Sequence, residues 1–582
     1  MFTQYRSYAA YKKSVIEWSV AAGYQVKDVS FALPWSKDIS PKTPLWGVFG
    51  ERQATPADFQ TIYSSEFFIL YEKVGSDKRA LRHGCPTDLQ AALMKYVRDL
   101  ASAQLTGQKL PTLDDEIVAK YQLLLDEVVS LDVAVWIGGQ LRGSQVANGG
   151  NLFDQITDAT LRTLQDFRFK PVLQRELNFA RFELTIIPDL WLPVTDLDLL
   201  QRSVSHSRAY KAVKNGSVQG WFMPTVANMK NYSNPKEYFV ALRQKSNISL
   251  NDREVSFFQA PTQVFIESFD KTTHHQLDGV VPTSALPVSL PTEALLIVEQ
   301  LVKTIDADGF ASNVTTVDSL SSPKLDAGRL SFLLATLCEY QSVTGDQQFY
   351  PAISRLHAFL YKYSEENQAV VIYGARAELY VKALPSSFSS LLLSVPVQVD
   401  ILVEIQRVLT LSLLSQQELL SEDLKTMILG LFKKWQSEIK PNPVAYADLL
   451  ILLDMFNLVA QRDAFIGWLG SLQSTDGSFG KAGVSYTRGV GKLAESTAAV
   501  SSSHSISRVA IDWLNTMQYT DETMYYIPVA LQSKFKHGFR HDHWNRDLWL
   551  DGSAHALLAC LRLGDWEGYK AHWQKCWQTD ID

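Results

Sequence analysis

Two stretches, WLGSLQSTDGSF at 468–479 and WLNTMQYTDETMYY at 513–526, share Trp-Leu-x-x-hydrophobic-Gln-x-x-Asp at an offset of 45 residues. That period is the length of a helical hairpin, which cannot bury its apolar face alone, so hairpins that repeat must stack on one another. A second element recurs after the loops, as LDAGRLSFLLATLCEYQSVTGD at 325, YADLLILLDMFNLVAQRD at 446, LAESTAAVSSS at 493 and LDGSAHALLACLRLGD at 550. Each places an acidic residue in the first turn of a helix: Asp326, Asp448, Glu495 and Asp551. Small residues follow, as an inner helix packed closely against neighbours requires.

The repeats occupy only the second half. A chain of 582 residues exceeds one ordinary core. Its first 270 residues mix short β-branched runs with helical periods. DLQAALMKYVRDLASAQLTGQ has a one-sided apolar stripe, VAVWIG reads as a buried strand, LFDQITDATLRTLQDFRF as a helix and RFELTIIPDLWLPV as a strand, an α+β rhythm. Prolines 282, 287 and 291 remove backbone donors and disfavour helix, which puts the domain boundary near residue 280.

The ordered set LRG at 141–143, DFRFKPVLQREL, VQGWFMPTVA and NPKEYFVALRQKSNI followed by FFQAPTQVFI resembles the AMMECR-type domain over about residues 80–268. That family shows L-R-G-C-I-G, a D-P-R-F element followed by E-L, and a G-x-x-x-P-x-V-A turn. The resemblance implies an α+β fold with Arg142 and Ser144 as candidate ligand contacts. Here Ser144 stands where the family has cysteine. A serine hydroxyl is a far weaker nucleophile without a base beside it, which points to a binding or docking unit open to a protein partner. Leu141-Arg142-Gly143 also reads simply as a tight turn, its arginine satisfying carbonyls or a carboxylate.

The small-residue inner helices joined by D-G-S-F-like turns resemble the α/α toroid, a six-hairpin ring shared by terpene cyclases, prenyltransferases, lanthionine cyclases, sugar epimerases and several glycosidase families. The resemblance covers about residues 285–582 and implies architecture, not chemistry. The expected fold class is multidomain: an α+β AMMECR-like domain followed by an all-α toroid of helical hairpins. The expected boundaries are an N-terminal extension at 1–79, the AMMECR-like domain at 80–270, a proline-rich linker at 271–292 and the toroid at 293–582.

Composition narrows the function. The net charge of −7 and the lack of any long basic run argue against nucleic acid as a partner. The most apolar stretch carries Pro396, Asp400, Glu404 and Arg407, too costly in a bilayer centre, so no membrane role is expected. Cys85, Cys338, Cys560 and Cys576 have no CxxC spacing, which suits a reducing cytoplasm and offers no thiolate zinc site for prenyl transfer or lanthionine cyclisation. The D-x-D-D acid motif of protonating terpene cyclases is absent from the toroid, and DLDLL at 196 matches it poorly. No cofactor is called for.

In such a ring the four acidic residues opening inner helices converge on one mouth, although a first-turn carboxylate is also what the helix dipole favours. KHGFRHDHWNRDLWLDGSAHALLACLRL holds four histidines. His541 and His543 fall on a hairpin loop, where packing against Trp544 and Trp549 or rim contact with a ligand is expected; a metal would need a third ligand from elsewhere. His555 lies four residues after Asp551, so both point to one face, and a carboxylate there would orient the imidazole for acid/base work. The catalytic candidates are Asp551, His555, Glu495 and Asp326. Arg329 or Arg488 would hold an anionic group, with Asp448, Tyr486 and Lys492 also at the mouth. The function expected is a bacterial-type enzyme acting by acid/base chemistry on a small polar, glycan-like or peptide ligand in the toroid cavity, of hydrolase, lyase or epimerase type. The alternatives are a non-catalytic two-domain binding or scaffold protein and a tailoring enzyme for a peptide or natural product.

Overall fold

A computed structural model describes residues 2–21, 24–33, 43–49, 56, 58–64, 68–74, 84–188, 190–195, 207–229, 232, 235–249, 251–252, 254–278, 281–282, 290–316, 325–398, 400–414 and 421–564. The chain divides into two compact units, Met1–Ser284 with Asp521–Val529 and Ala285–Thr520 with Ala530–Asp582. DLDLL at 196 and Cys576 lie outside the described residues.

Among the described residues the first unit mixes helices with two four-stranded sheets and one six-stranded sheet. The larger sheet is centred on Val128–Ile137, which pairs antiparallel with Gln140–Asn151 on one side and Ala180–Ile187 on the other. Alternation along the central strand sorts its faces. Leu131, Val133 and Val135 enter a core shared with the helices Thr87–Thr106 and Leu152–Leu164. Asp132, Ala134 and Trp136 project to the opposite face and are buried there too.

Two expectations need correction. Leu141-Arg142-Gly143 is not the turn; the turn is Gly138-Gly139, whose φ angles of 61° and 79° suit a two-residue hairpin and leave Leu141, Arg142 and Gly143 in the strand Gln140–Asn151. Gly143 is needed for close approach instead, since a Cβ there would lie 2.2 Å from the Thr163 carbonyl oxygen. Nor is 271–292 simply a linker. His274–Asp278 pairs with Gln263–Glu267, and Val281–Pro282 forms the sheet edge, where a missing N–H costs no ladder bond.

Among the described residues the second unit is almost wholly helical, with one two-stranded pairing of Val314–Thr315 with Leu548–Trp549. Every residue from Leu330 to Gln341 is buried, as is every residue from Leu550 to Leu563. A helix buried on all sides must be surrounded by others. The inner elements Ala327–Thr344, Gln368–Tyr380, Ile401–Leu414, Pro443–Tyr446 with Leu449–Met455, Thr487–Ala498 and Leu550–Gly564 each pack on the next, and the last packs on the first, closing a ring. Leu290–Lys303, Tyr350–Tyr361, Ser421–Ser437, Val459–Leu472 and His504–Met517 pack outside it.

The repeated Trp-Leu motifs fall in the last turns of two outer helices, Val459–Leu472 and His504–Met517. TDGSF and KHGF each place a phenylalanine in the core, Phe479 and Phe539, two residues after a left-handed position. Gly477 takes that position in one turn (φ 95°) and His537 in the other (φ 70°). Gly477 also faces the Val509 carbonyl, which would be 2.1 Å from an added Cβ.

The position of Glu495 also differs from expectation. Its helix begins at Thr487, so Glu495 lies more than two turns inside it rather than in the first. Gly491 and Gly552 stand inside helices because the neighbouring inner helix comes too close for larger residues. A Cβ at Gly491 would sit 2.9 Å from His555 Cβ, and one at Gly552 would sit 3.3 Å from Thr487 Cγ2. We expect Gly491→Val to destabilise the second unit by about 2 kcal/mol through overpacking, read from the denaturant midpoint at unchanged slope. An unchanged midpoint would mean the two helices are not held at this separation.

Candidate active site

The ring leaves a cavity of about 320 Å³, lined in part by Asp326, Arg329, Arg488, Lys492, Asp551 and His555. His555 is brought to it by the Leu550–Gly564 helix, and the close approach at Gly491 sets the Thr487–Ala498 helix against it. His555 Nδ1 lies 2.9 Å from Glu495 Oε2. The imidazole lies against the Phe332 ring, centroids 4.1 Å apart.

Behind the imidazole lies a buried ionic network. Lys492, Glu495 and Ser496 stand at i, i+3 and i+4, hence on one helix face. Lys492 Nζ donates to Glu495 Oε1 and to Asp448 Oδ2, each at 2.5 Å. Ser496 Oγ donates to Asp448 Oδ1 at 2.5 Å, and Gln406 Nε2 donates to Oδ2. Arg562 forms a bidentate pair with Glu339 at 2.9 and 3.0 Å and donates to the Glu495 carbonyl at 3.2 Å.

The electrostatics follow from this packing. Burial pushes the Asp448 carboxyl up, but Lys492, Gln406 and Ser496 outweigh it and hold the group well below the ordinary carboxylate range. Burial opposes ionisation of Glu495 too, and Lys492 followed by His555 brings it below its usual value. Lys492 loses by burial and gains more from Asp448 and Glu495, so its ammonium is favoured. An ionised Glu495 can only accept, so the Nδ1 of His555 carries a proton, and in the neutral ring the lone pair is on Nε2.

The shared helix face of Asp551 and His555 does not make them partners. Glu495 reaches Nδ1 across the glycine contact, and Asp551 turns to the arginines. Arg329 Nη1 lies 3.3 Å and Arg488 Nε 3.1 Å from Asp551 Oδ2. Arg329 also pairs with Asp326 at 3.1 Å, and its guanidinium lies over the Trp549 ring at 4.9 Å. Both arginines therefore face a carboxylate of the chain itself.

The remaining candidates are divided between the lining, the layer behind it and a neighbouring loop. Asp326 lines the cavity and caps its helix, accepting from the Arg329 amide. Asp448 and Glu495 lie behind Lys492 and His555 rather than in the lining. His541 bonds Asp542 at 2.6 Å, stacks on Tyr486 at 5.8 Å and packs against Trp549 at 4.6 Å; His543 meets Trp513 at 5.9 Å. His541 thus supports Trp549 and His543 packs on Trp513, and neither is in the cavity lining. Among the described residues no three His, Cys, Asp or Glu side chains converge as a metal ion would need. Glu339, Gln406, Phe332 and Arg562 have no signature in the motifs; the one available signal was their polar or bulky character inside otherwise small, apolar inner helices.

In the first unit, Arg142 pairs with Glu176 at 2.7 Å and donates to the Lys170 carbonyl at 3.2 Å, as its structural reading requires. Ser144 Oγ donates to Asp132 Oδ1 at 2.9 Å, and its amide donates to Asp166 Oδ2 at 3.0 Å. Burial pushes the Asp132 carboxyl up to about 6.

Removing the central cation tests the network. Lys492→Met strands two buried carboxylates and should cost about 3–5 kcal/mol in denaturant unfolding. Because the Asp448 and Glu495 carboxyls sit below their ordinary values of 3.8 and 4.5, the unfolded chain takes up protons first on acidification. The stability they contribute is present above about pH 5 and lost as pH falls through the acid range. Asp448→Asn should flatten that decline; a variant as acid-sensitive as the parent would contradict the assignment.

Neither a protein-family model nor a curated protein matches the sequence. Solved structures are similar over parts of the chain. An uncharacterised protein from Pyrococcus horikoshii is 15% identical over 32% of this chain and 95% of its own, with a TM-score of 0.28. The GH76A α-1,6-mannanase of Salegentibacter sp. HEL1_6 is 9% identical over 47% of this chain and 98% of its own, at 0.36. A possible GH105-family member from Salmonella enterica serovar Paratyphi A is 12% identical over 48% of this chain and 96% of its own, at 0.32.

Proposed function

We propose that the second unit is an enzyme of α/α-toroid type that transfers a proton on a small, polar, glycan-like or peptide substrate. His555 Nε2 is the acid/base group. The observation that supports this is the contact of His555 Nδ1 with a buried, ionised Glu495, which orients the ring and stabilises the imidazolium formed when Nε2 takes a proton. Lys492 holds Glu495 ionised, so the imidazole rather than the carboxylate exchanges protons with substrate. Asp551, Arg329 and Arg488 fix the polar groups of the ligand beside it.

This arrangement favours a lyase- or epimerase-type proton transfer over hydrolysis by a carboxylate pair. Glycoside hydrolysis needs two carboxyl groups facing the scissile bond. Here Asp326 and Asp551 both line the cavity, but each is engaged by Arg329, Asp326 also caps its own helix, and Glu495 is taken up by Lys492 and His555 behind it. A general base near a carbon acid needs only one positioned imidazole.

The AMMECR-like reading of the first unit belongs to the same proposal, with Arg142 and Ser144 in a unit that binds substrate or a protein partner. The Asp132 carboxylate bonded to Ser144 is a poor base for activating a hydroxyl, which favours binding over nucleophilic catalysis there.

The test is deuterium incorporation from D2O into a panel of reducing sugars, hexuronates and short peptides, followed by mass spectrometry. Exchange on a member of the panel should fall about 100-fold or more in His555→Gln and substantially in Glu495→Gln, with both variants folded. Exchange at the parental rate in His555→Gln would end the proposal.

A further inference from the structure

The carboxylate of Asp551 is the least satisfied charged group at the cavity. It is 2% exposed, and neither Oδ1 nor Oδ2 accepts a hydrogen bond. Arg329 Nη1 and Arg488 Nε are at ion-pair distance from Oδ2, but neither is directed along a hydrogen bond, and Arg329 Nη1 is itself buried without an acceptor. A buried carboxylate without donors costs more than a neutral group would, so such a group in a cavity wall calls for an explanation.

Acceptor and donor lie side by side here. A ligand group that completes both must donate to Asp551 and accept from arginine, as a hydroxyl does. A carboxylate or phosphate completes only the arginines and sets a second negative charge against Asp551. An ammonium completes only Asp551 and meets two guanidinium groups. Two adjacent hydroxyls can donate to Oδ1 and Oδ2 together. Phe332, Tyr373 and Val444 in the same lining offer apolar surface to the C–H face of a ring, and about 320 Å³ is the low end of ligand cavities, enough for one or two rings.

We infer that the cavity binds a neutral polyhydroxylated ring through a vicinal diol held by Asp551 and Arg329. This names the substrate class of the proton-transfer site and rests on that reading for turnover alone, in which the open-chain aldehyde form of a reducing sugar supplies the acidic C–H beside its carbonyl. The arginines thus serve as partners of a carboxylate–diol clamp instead of an anion site.

Binding to the full chain separates the possibilities. Methyl gluco-, galacto- and mannopyranosides, their vicinal dideoxy analogues, the matching hexuronates and inorganic phosphate are titrated and followed by ligand-observed NMR. At least one neutral pyranoside should bind. Its dideoxy analogue should bind about tenfold more weakly or worse, as loss of hydrogen bonds to a charged group implies, and Asp551→Asn should reproduce that loss. The analogue series on the unaltered protein keeps the test sound if the variant does not fold. Tighter binding of hexuronates or phosphate than of neutral pyranosides, or no binding of any pyranoside, overturns the inference. Diol-dependent binding without deuterium exchange leaves it standing and removes the proton-transfer reading; exchange on a hexuronate alone does the reverse.

Discussion

The ammonium of Lys492, held between Asp448 and Glu495 inside the helical ring, is the interaction on which the rest of the second unit depends. Burying three charges is expensive, and the geometry must be close to ideal for their attraction to offset the desolvation. That requirement fixes helix positions more tightly than apolar packing does. Asp448 stands at the start of the Leu449–Met455 helix, Gln406 comes from Ile401–Leu414, and Lys492 and Glu495 from Thr487–Ala498. Arg562 and Glu339 add Leu550–Gly564 and Ala327–Thr344. Five of the inner elements are thereby joined through one polar cluster, and the imidazole of His555 is set at its edge.

The architecture was legible where it rests on repetition. The 45-residue offset, the small-residue inner helices and the D-G-S-F turn gave the hairpins, because each repeats one packing problem around the ring. The equivalence of TDGSF and KHGF, a left-handed residue two places before a buried phenylalanine, needed the backbone. Gly491 has no signature in the repeats, because it is there for the sake of His555 across the interface. The site was legible as a list but not as a set of pairs. His555 and Asp551 share a face by spacing, yet partners are chosen across helices, and no spacing within one helix says that Glu495 arrives first.

In the first unit the same limit appears in a sheet. The LRG stretch could be read from the sequence but not its register, because the turn lies at Gly138-Gly139. Arg142 then serves Glu176, and Ser144 serves the buried face of the sheet, where Asp132 and Glu183 are both pushed toward neutrality, to about 6 and about 7, by burial. A hydroxyl in this setting satisfies a buried carboxyl that a thiol would satisfy poorly, which gives the serine a structural reason of its own.

The central claim is that Glu495 holds the proton of His555 on Nδ1 and turns Nε2 to the cavity. Nitrogen-15 NMR of histidine-labelled protein, with the signal assigned through His555→Gln, reads this directly. The account requires the Nδ1–H tautomer for the neutral ring, shifting on loss of the carboxylate in Glu495→Gln. A neutral His555 found with its proton on Nε2, indifferent to residue 495, would contradict it.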